Sequence, residues 1–566
     1  MTSPSIRLAV PTCTTKKHKV QAAANFAHPA GSDSPTYSHF AHSSSWQEPR
    51  IWSRLARSIH DANPPALFRY KLEPFRAGAK TLRHNQRSLR SKGPQQFLVR
   101  QSMHLGAPML CFVRFTVMKF AFNSGPRKVR LMPLIAATYF MVSGGPYGLE
   151  DILGGAGFGR AILILLVLPI VWSLPTALMI GELASAIPAE GGFYVWVRRA
   201  LGPFWGFQEG WLSLSASIFD MALYPTIFVL YLGKFNPALT AGWYGYGWSL
   251  AVVALSVLWN LRGAPAVGEG SIALFAMLLT PFAIFVVLGL WRGIILHPHV
   301  NWGRADSGAA LSTAVLVAMW NYMGWDNAST VAQEVRDPQR NYPRAMIWAA
   351  LLVAITYILP LLAMALSGLS VEKFATGDWM PAAVSIGGPL LGTAVVAGGV
   401  ICGIGMFNAL AMSYSRLPMA MAEDGMLPRI MSRRNRRGVP WVSLLLCGLA
   451  WAMALKLPFE RLISIDLILY GSSLLLEFVA LAVLRVREPN LVRPFKAGSL
   501  GFACSLGVGP AVLIGYALYA SRNEKVAGST SALLLALAVA LLGPMLYWLT
   551  AAPLARRRLA AASAND

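Results

Sequence analysis

A chain of 566 residues that is 55% hydrophobic and only 13% charged, with a mean hydropathy of +0.50, has too few charges to clothe several soluble domains, which carry roughly 25% charged residues. The formal charge of +24 is concentrated, because residues 1–130 hold 21 Lys and Arg against four acids, a net +17. The five cysteines, Cys13, Cys111, Cys402, Cys447 and Cys504, are scattered without paired spacing, so neither a disulfide framework nor a zinc site has support.

In chain order, residues 1–130 form a basic leader. Ser, Pro, Arg, Lys and His alternate without an apolar period, as from Thr81 to Arg87, and no early signal-peptide core is present. The preferred reading is a solvated or untranslated leader, with Met118 or Met132 as a start; a lipid-surface arm and a nucleic-acid arm stay open behind it. Nucleic acid is not expected as a partner. The apolar stretch from Met109 to Phe122 is interrupted by Arg114 and Lys119 and is too short to span a bilayer.

From Leu131 onward the chain is a series of apolar runs near the ~20 residues that a spanning helix needs. The expectation is an all-α polytopic domain over 131–566 with twelve spans: 131–156, 161–187, 203–233, 242–261, 267–291, 309–335, 345–369, 387–415, 438–456, 461–484, 499–520 and 529–550. With this even number, placing Leu131 in the cytoplasm assigns 19 basic residues of the body to that side and nine to the other. The positive-inside rule then puts both termini in the cytoplasm of a multi-pass cell-membrane protein.

Two spans are interrupted. The first breaks at Ser143, Gly144, Gly145, Pro146, Tyr147 and Gly148, and the sixth at Asn321, Tyr322, Met323, Gly324, Trp325 and Asp326. Unsatisfied backbone in hydrocarbon costs several kcal/mol unless it lines a cavity or meets a ligand. A matched pair of breaks five spans apart points to an inverted repeat with a site near the bilayer midplane. A half-helix amino end there favours anions and a carboxyl end cations.

Carboxylates recur within the spans: Asp151, Glu182, Glu209, Asp220, Glu269, Asp326, Asp466 and Glu477. Lys456, at the very end of the ninth span, is the single Lys in the first ten spans and the few Arg lie at span edges, so little basic pairing is expected, and each acid is by default a functional candidate. Glu209 and Asp220 are 11 residues apart, which at ~100° per residue puts them on one face of a helix, ~16 Å apart along its axis; Asp466 and Glu477 repeat that spacing. Tyr224 lies on nearly the same face as Asp220. The aromatics beside the breaks, Tyr147, Tyr224, Trp320, Tyr322 and Trp325, can hold an ammonium by cation-π attraction worth about 0.5–2 kcal/mol. Capping of a half-helix is the competing role for Asp326, and back-bonding to the helix backbone the competing role for Ser143 and Ser413.

Four segments carry a resemblance. The run Glu182 to Tyr194, Glu334-Val335-Arg336-Asp337-Pro338 with Pro343-Arg344, Ser415-Arg416 with Ala422 to Pro428, and Leu484-Arg485 through Arg493-Pro494-Phe495 resemble, in order, signatures of the amino acid, polyamine and organocation (APC) superfamily. The resemblance implies a leucine-transporter-like fold, with helices 1–5 and 6–10 as inverted repeats and two helices appended. Gly144 to Asp151, Ala200 to Gln208, Ala222 to Pro225 after Asp220, and Trp325-Asp326 with Ser329-Thr330 are similar to plant-type polyamine uptake transporters and their prokaryotic relatives. The chain departs from them in its long leader and in Met323-Gly324.

The expected function is secondary active transport by alternating access, with amino acids as substrates and polyamines as the alternative, and with H+ as coupling ion, Na+ remaining possible. No cofactor is expected. The substrate site is assigned to Ser143, Gly144, Gly145, Pro146, Tyr147, Gly148, Asp220, Tyr224, Trp320, Asn321, Tyr322, Trp325 and Asp326, and coupling to Asp151, Asp220, Asp326 and Ser413. A membrane enzyme has no HExxH, GxSxG or Walker A segment to rest on. A nutrient sensor or channel is the competing class.

Overall fold

Apolar side chains such as Leu163, Val287, Leu390 and Leu449 point outward from a helical bundle, while Glu150, Glu182, Glu209, Asp220, Asp326, Asp466 and Glu477 are buried inside it. This inversion of the soluble pattern suits a molecule whose surroundings are hydrocarbon, where ionisable groups turn to the bundle interior. The computed structural model describes residues 128–296, 302, 308–369, 374–456, 459–527 and 530–554, all within one compact unit, Val117–Asp566. The basic leader up to residue 127 lies outside the described residues.

Helix α1 (Leu131–Val142) ends at the first break, and α2 (Glu150–Leu168) resumes after it. Gly157, with φ 69° and ψ 171°, kinks α2, a conformation that a residue with a Cβ resists. A π-turn over Pro169–Ser173 leads into α3 (Leu174–Ala186). A short α4 (Gly192–Leu201) precedes the long α5 (Pro203–Phe235), α6 (Trp243–Asn260) and α7 (Ala264–Leu296). The sixth run forms α8 (Gly308–Asn321), then two 3-10 turns, Asp326–Thr330 and Ala332–Glu334.

There follow α9 (Pro338–Leu366), α10 (Trp379–Tyr414) kinked at Gly388, α11 (Arg416–Glu423), α12 (Trp441–Ala454) and α13 (Phe459–Arg487). The chain continues through α14 (Leu500–Ser505), α15 (Val508–Ala520), a small antiparallel ladder of β1 (Lys525–Ala527) and β2 (Thr530–Ser531), and α16 (Ala532–Leu546). Eight helical stretches among the described residues are long and apolar enough to cross a membrane, and α1 and α12 are shorter apolar helices. Helix α5 is the axis of the bundle, packed against α4, α10, α12, α13 and α16, while α7 and α9 pack with α1.

Candidate functional site

The first break keeps its polar groups satisfied by side chains. Ser143, in extended conformation, accepts the Gly145 N–H on its Oγ at 3.1 Å. The Gly148 N–H donates to the Glu150 carboxylate at 2.6 Å, the Pro146 carbonyl accepts Trp379 Nε1 at 3.0 Å, and the Gly148 carbonyl accepts Asn321 Nδ2 at 3.3 Å. Tyr147 donates its hydroxyl to the Val395 carbonyl and packs edge-on to Tyr231 and Phe282.

Glu150, which the sequence reading passed over in favour of its neighbour, is fully buried and also bonds Tyr231 and the Gly377 N–H at 3.1 Å. Asp151, only half-buried, takes the neighbouring residue of the same segment, accepting the Thr376 N–H at 3.0 Å and the Thr376 hydroxyl at 2.7 Å. Adjacent helical residues diverge by ~100°, so only one of the two can enter the core.

The second break meets the first. The Asn321 carbonyl accepts the Tyr357 hydroxyl at 2.7 Å, and the Gly324 N–H donates to the Tyr470 hydroxyl at 3.0 Å. Gly324 has φ +88°, and a Cβ there would run into the carbonyl oxygen of Met141 at the end of α1. Asp326 accepts a hydrogen bond from Tyr470. The expected half-helix beyond it is instead a 3-10 turn whose cap position is Trp325, with no capping bond from that side chain. Side-chain bonds hold this turn: Ser413 Oγ donates to Asn327 Oδ1 at 2.7 Å and accepts from Thr330 Oγ1 at 3.1 Å, and Tyr342 donates to the Ala328 carbonyl at 2.7 Å.

Between the breaks lies a cavity of about 20 Å³, little more than one water needs, so it has to widen to admit a substrate. Six residues of the sequence assignment line it: Gly144, Tyr147, Asp220, Tyr224, Trp320 and Asn321. Asp220 accepts the Tyr224 hydroxyl at 2.5 Å and Trp320 Nε1 at 3.4 Å, with the Tyr224 and Trp320 rings stacked at 6.3 Å. No basic side chain lines the cavity.

Ser143, Gly145, Pro146, Gly148, Tyr322, Trp325 and Asp326 are not among its lining residues. Tyr322 donates instead to the Leu165 carbonyl at 2.8 Å, and Asp326 reaches the cavity only through Tyr470. Met323 and Gly324 of the second break also line it, and Met141, Val142, Met406, Tyr414 and Tyr470, which the sequence did not single out, complete the wall. These five sit on α1, α10 and α13, inside continuous apolar helix where no break marks them.

At the arginine-bearing end of the bundle, the four signature segments converge into two ion-pair knots. Glu182 receives Arg485 Nε at 2.8 Å and Nη2 at 2.5 Å, with Arg493 Nε at 3.2 Å. Arg416 pairs with Glu334, and Arg434 joins Glu190 at 2.8 Å to Glu423 at 2.7 Å. The expectation of little basic pairing therefore fails for Glu182: Arg485 lies at a span edge, but its long side chain reaches back into the core. Glu269 is exposed.

The sequence profile of the amino acid permease family matches residues 135–546. Polyamine transporter PUT1 of Oryza sativa subsp. japonica is 35% identical over 428 residues, covering 73% of this chain and 78% of that protein. Polyamine transporter RMV1 of Arabidopsis thaliana is 34% identical, over 71% of this chain and 82% of its own length. The serine/threonine exchanger SteT of Bacillus subtilis is 26% identical, over 61% and 80%.

Proposed function

The chain belongs to the amino acid permease family, and on that premise we propose that it is a secondary active carrier of a small organic amine, with polyamines ahead of amino acids as substrates. The carrying observation is Asp220: a buried carboxylate at the cavity wall, hydrogen-bonded by Tyr224 and Trp320, whose rings stack on each other, and with no basic residue among the described residues that line the cavity. Such a group favours an ammonium, and the aromatic faces add cation-π attraction. A zwitterionic amino acid also needs donors for its carboxylate. The N–H groups of Gly145, Gly148 and Gly324 are already given to Ser143, Glu150 and Tyr470, which supports ranking the polyamine first.

The architecture proposed is twelve spans, with spans 1–5 and 6–10 as inverted repeats, two spans appended and both termini in the cytoplasm. Rocking of one repeat against the other gives alternating access. Protons are the proposed coupling ion, with Asp220 and Asp326 as titratable groups and Ser413 as the support of the turn that carries Asp326. Asp151 remains a weaker coupling proposal, supported only by its charge.

Competition decides the substrate. Labelled putrescine uptake into proteoliposomes of the pure protein is expected to be displaced by spermidine more strongly than by arginine or leucine, and its accumulation to need an imposed ion gradient without ATP. Displacement by leucine or arginine ahead of spermidine reverses the substrate order. Absence of saturable uptake for all four supports a sensor instead.

A further inference from the structure

Away from the cavity, buried acids form a pattern that substrate binding does not use. Glu209 and Asp220 on α5, and Asp466 and Glu477 on α13, are each 11 residues apart, about 16 Å along a helix and on one face of it. The two helices run antiparallel: Arg487 near the end of α13 bonds the Ala200 carbonyl just before α5 at 2.9 Å, and Arg199 pairs with Glu488 at 2.6 Å. Glu477 therefore falls toward the level of Glu209, and Asp466 toward that of Asp220.

Asp326 stands between these levels, near enough for its charge to act on all four other carboxylates, while Glu209 acts on Glu477 and Asp220 on Asp466. The five are at most 6% exposed. Both oxygens of Glu477, one of Glu209 and one of Asp466 have no hydrogen-bond partner, although buried polar oxygens are almost always satisfied.

The groups facing this file offer no cation to balance it. On α3, Glu182 holds Arg485 and Arg493. On α4, Arg198 is paired with Asp424 at 2.9 Å and Arg199 with Glu488. Tyr224, Tyr414 and Tyr470 are the neighbouring phenols, from α5, α10 and α13, and Tyr516 of α15 bonds Ser312 at 3.1 Å. Among the described residues no three acids, cysteines or histidines are grouped as a metal ion needs. Like carboxylates close together in an apolar interior cannot all ionise. What fits each of these unpaired carboxyl groups is one proton, which makes it a donor through one oxygen and an acceptor through the other.

We propose that Glu209, Glu477 and Asp466, centred on Asp326, form a proton relay distinct from the substrate cavity, running between α5 and α13 from the level of Asp220 toward the arginine-bearing end. Each step moves one proton from a carboxylic acid to the next carboxylate through an intervening water, which takes one proton as it gives up another, so the charge of the file is unchanged until a proton leaves to bulk solvent. The relay rests on the reading of proton-coupled transport. It deepens that reading by adding three residues that touch neither cavity nor substrate.

Glu209→Gln, Glu477→Gln and the double variant keep side-chain volume and remove the titrating group. In proteoliposomes, putrescine counterflow, which needs no net proton movement, is expected at the wild-type rate, while accumulation driven by a pH gradient falls about tenfold or more. Infrared spectra of the purified variants are expected to lose part of the protonated-carboxyl C=O band. Gradient-driven accumulation by the double variant within about twofold of wild type overturns the relay, as does a parallel loss of counterflow and accumulation. If wild type itself moves no amine, the transport reading fails separately; the infrared band still decides whether these acids hold protons, and a band unchanged in the double variant overturns the relay on its own.

Discussion

Two sets of buried acids in this molecule have opposite surroundings. Glu182 and Glu190, with the half-buried Glu334 beside them, are met by Arg485, Arg434 and Arg416 in turn; Glu209, Asp220, Asp326, Asp466 and Glu477 meet no basic side chain, only phenols, a hydroxyl, an indole, backbone N–H groups or nothing. The first set costs much to disturb, because removing one partner strands a charge. The second is held in the fold by packing and by neutral hydrogen bonds, and its charge is left for something that comes and goes. The paired knots tie segments together, and the unpaired acids carry the chemistry.

Breaking a knot is expected to have the largest effect on stability. Arg485→Ala leaves Glu182 short of its main partner and is expected to destabilise the protein by about 3–5 kcal/mol, seen as early thermal unfolding in detergent. Glu182→Gln combined with Arg485→Met should recover most of that loss. A single-variant loss below about 1 kcal/mol would erase the distinction between the two sets.

On the unpaired side, the expected effect is on transport rather than folding. Asp326→Asn keeps an acceptor for the Tyr470 hydroxyl, so expression should hold while gradient-driven uptake drops by about a hundredfold; near-normal uptake would make Asp326 a structural residue. Asp220→Asn removes a charged acceptor worth about 1.5–3 kcal/mol to a bound ammonium, so putrescine affinity in direct binding should fall about ten- to hundredfold with the melting temperature unchanged or raised. Smallest of all is Arg199→Gln. The Arg199 guanidinium holds the Glu488 carboxyl below its ordinary range, but both side chains are partly exposed, at 43% and 30%, and such pairs are worth under about 1 kcal/mol.

The breaks were legible in the sequence because glycine, proline and a carboxylate are costly inside an apolar run and mark where a spanning helix gives way, and α1 does stop at Val142 and α8 at Asn321. Helix bounds were close where a turn residue stands at the edge, as Gly202-Pro203 does before α5. Four things were not legible. The choice between Glu150 and Asp151 depends on helix azimuth after an irregular segment. The tyrosines Tyr414 and Tyr470 enter the site from helices far along the chain. The 3-10 form of the segment after Asp326 is held by Ser413 and Tyr342, tertiary bonds that local propensity does not anticipate. The pairing of Glu182 was hidden because Arg485 lies beyond the apolar run yet reaches inward.

The central claim is that amine movement is coupled to protons through acids that have no cation of their own. It is tested most directly by adding labelled putrescine outside proteoliposomes that enclose a pH-sensitive dye, with no gradient imposed and with sodium absent. The account predicts that the interior acidifies as label enters, and that a protonophore abolishes this acidification. Saturable entry of label with no acidification, or entry that appears only when sodium is supplied, would contradict it.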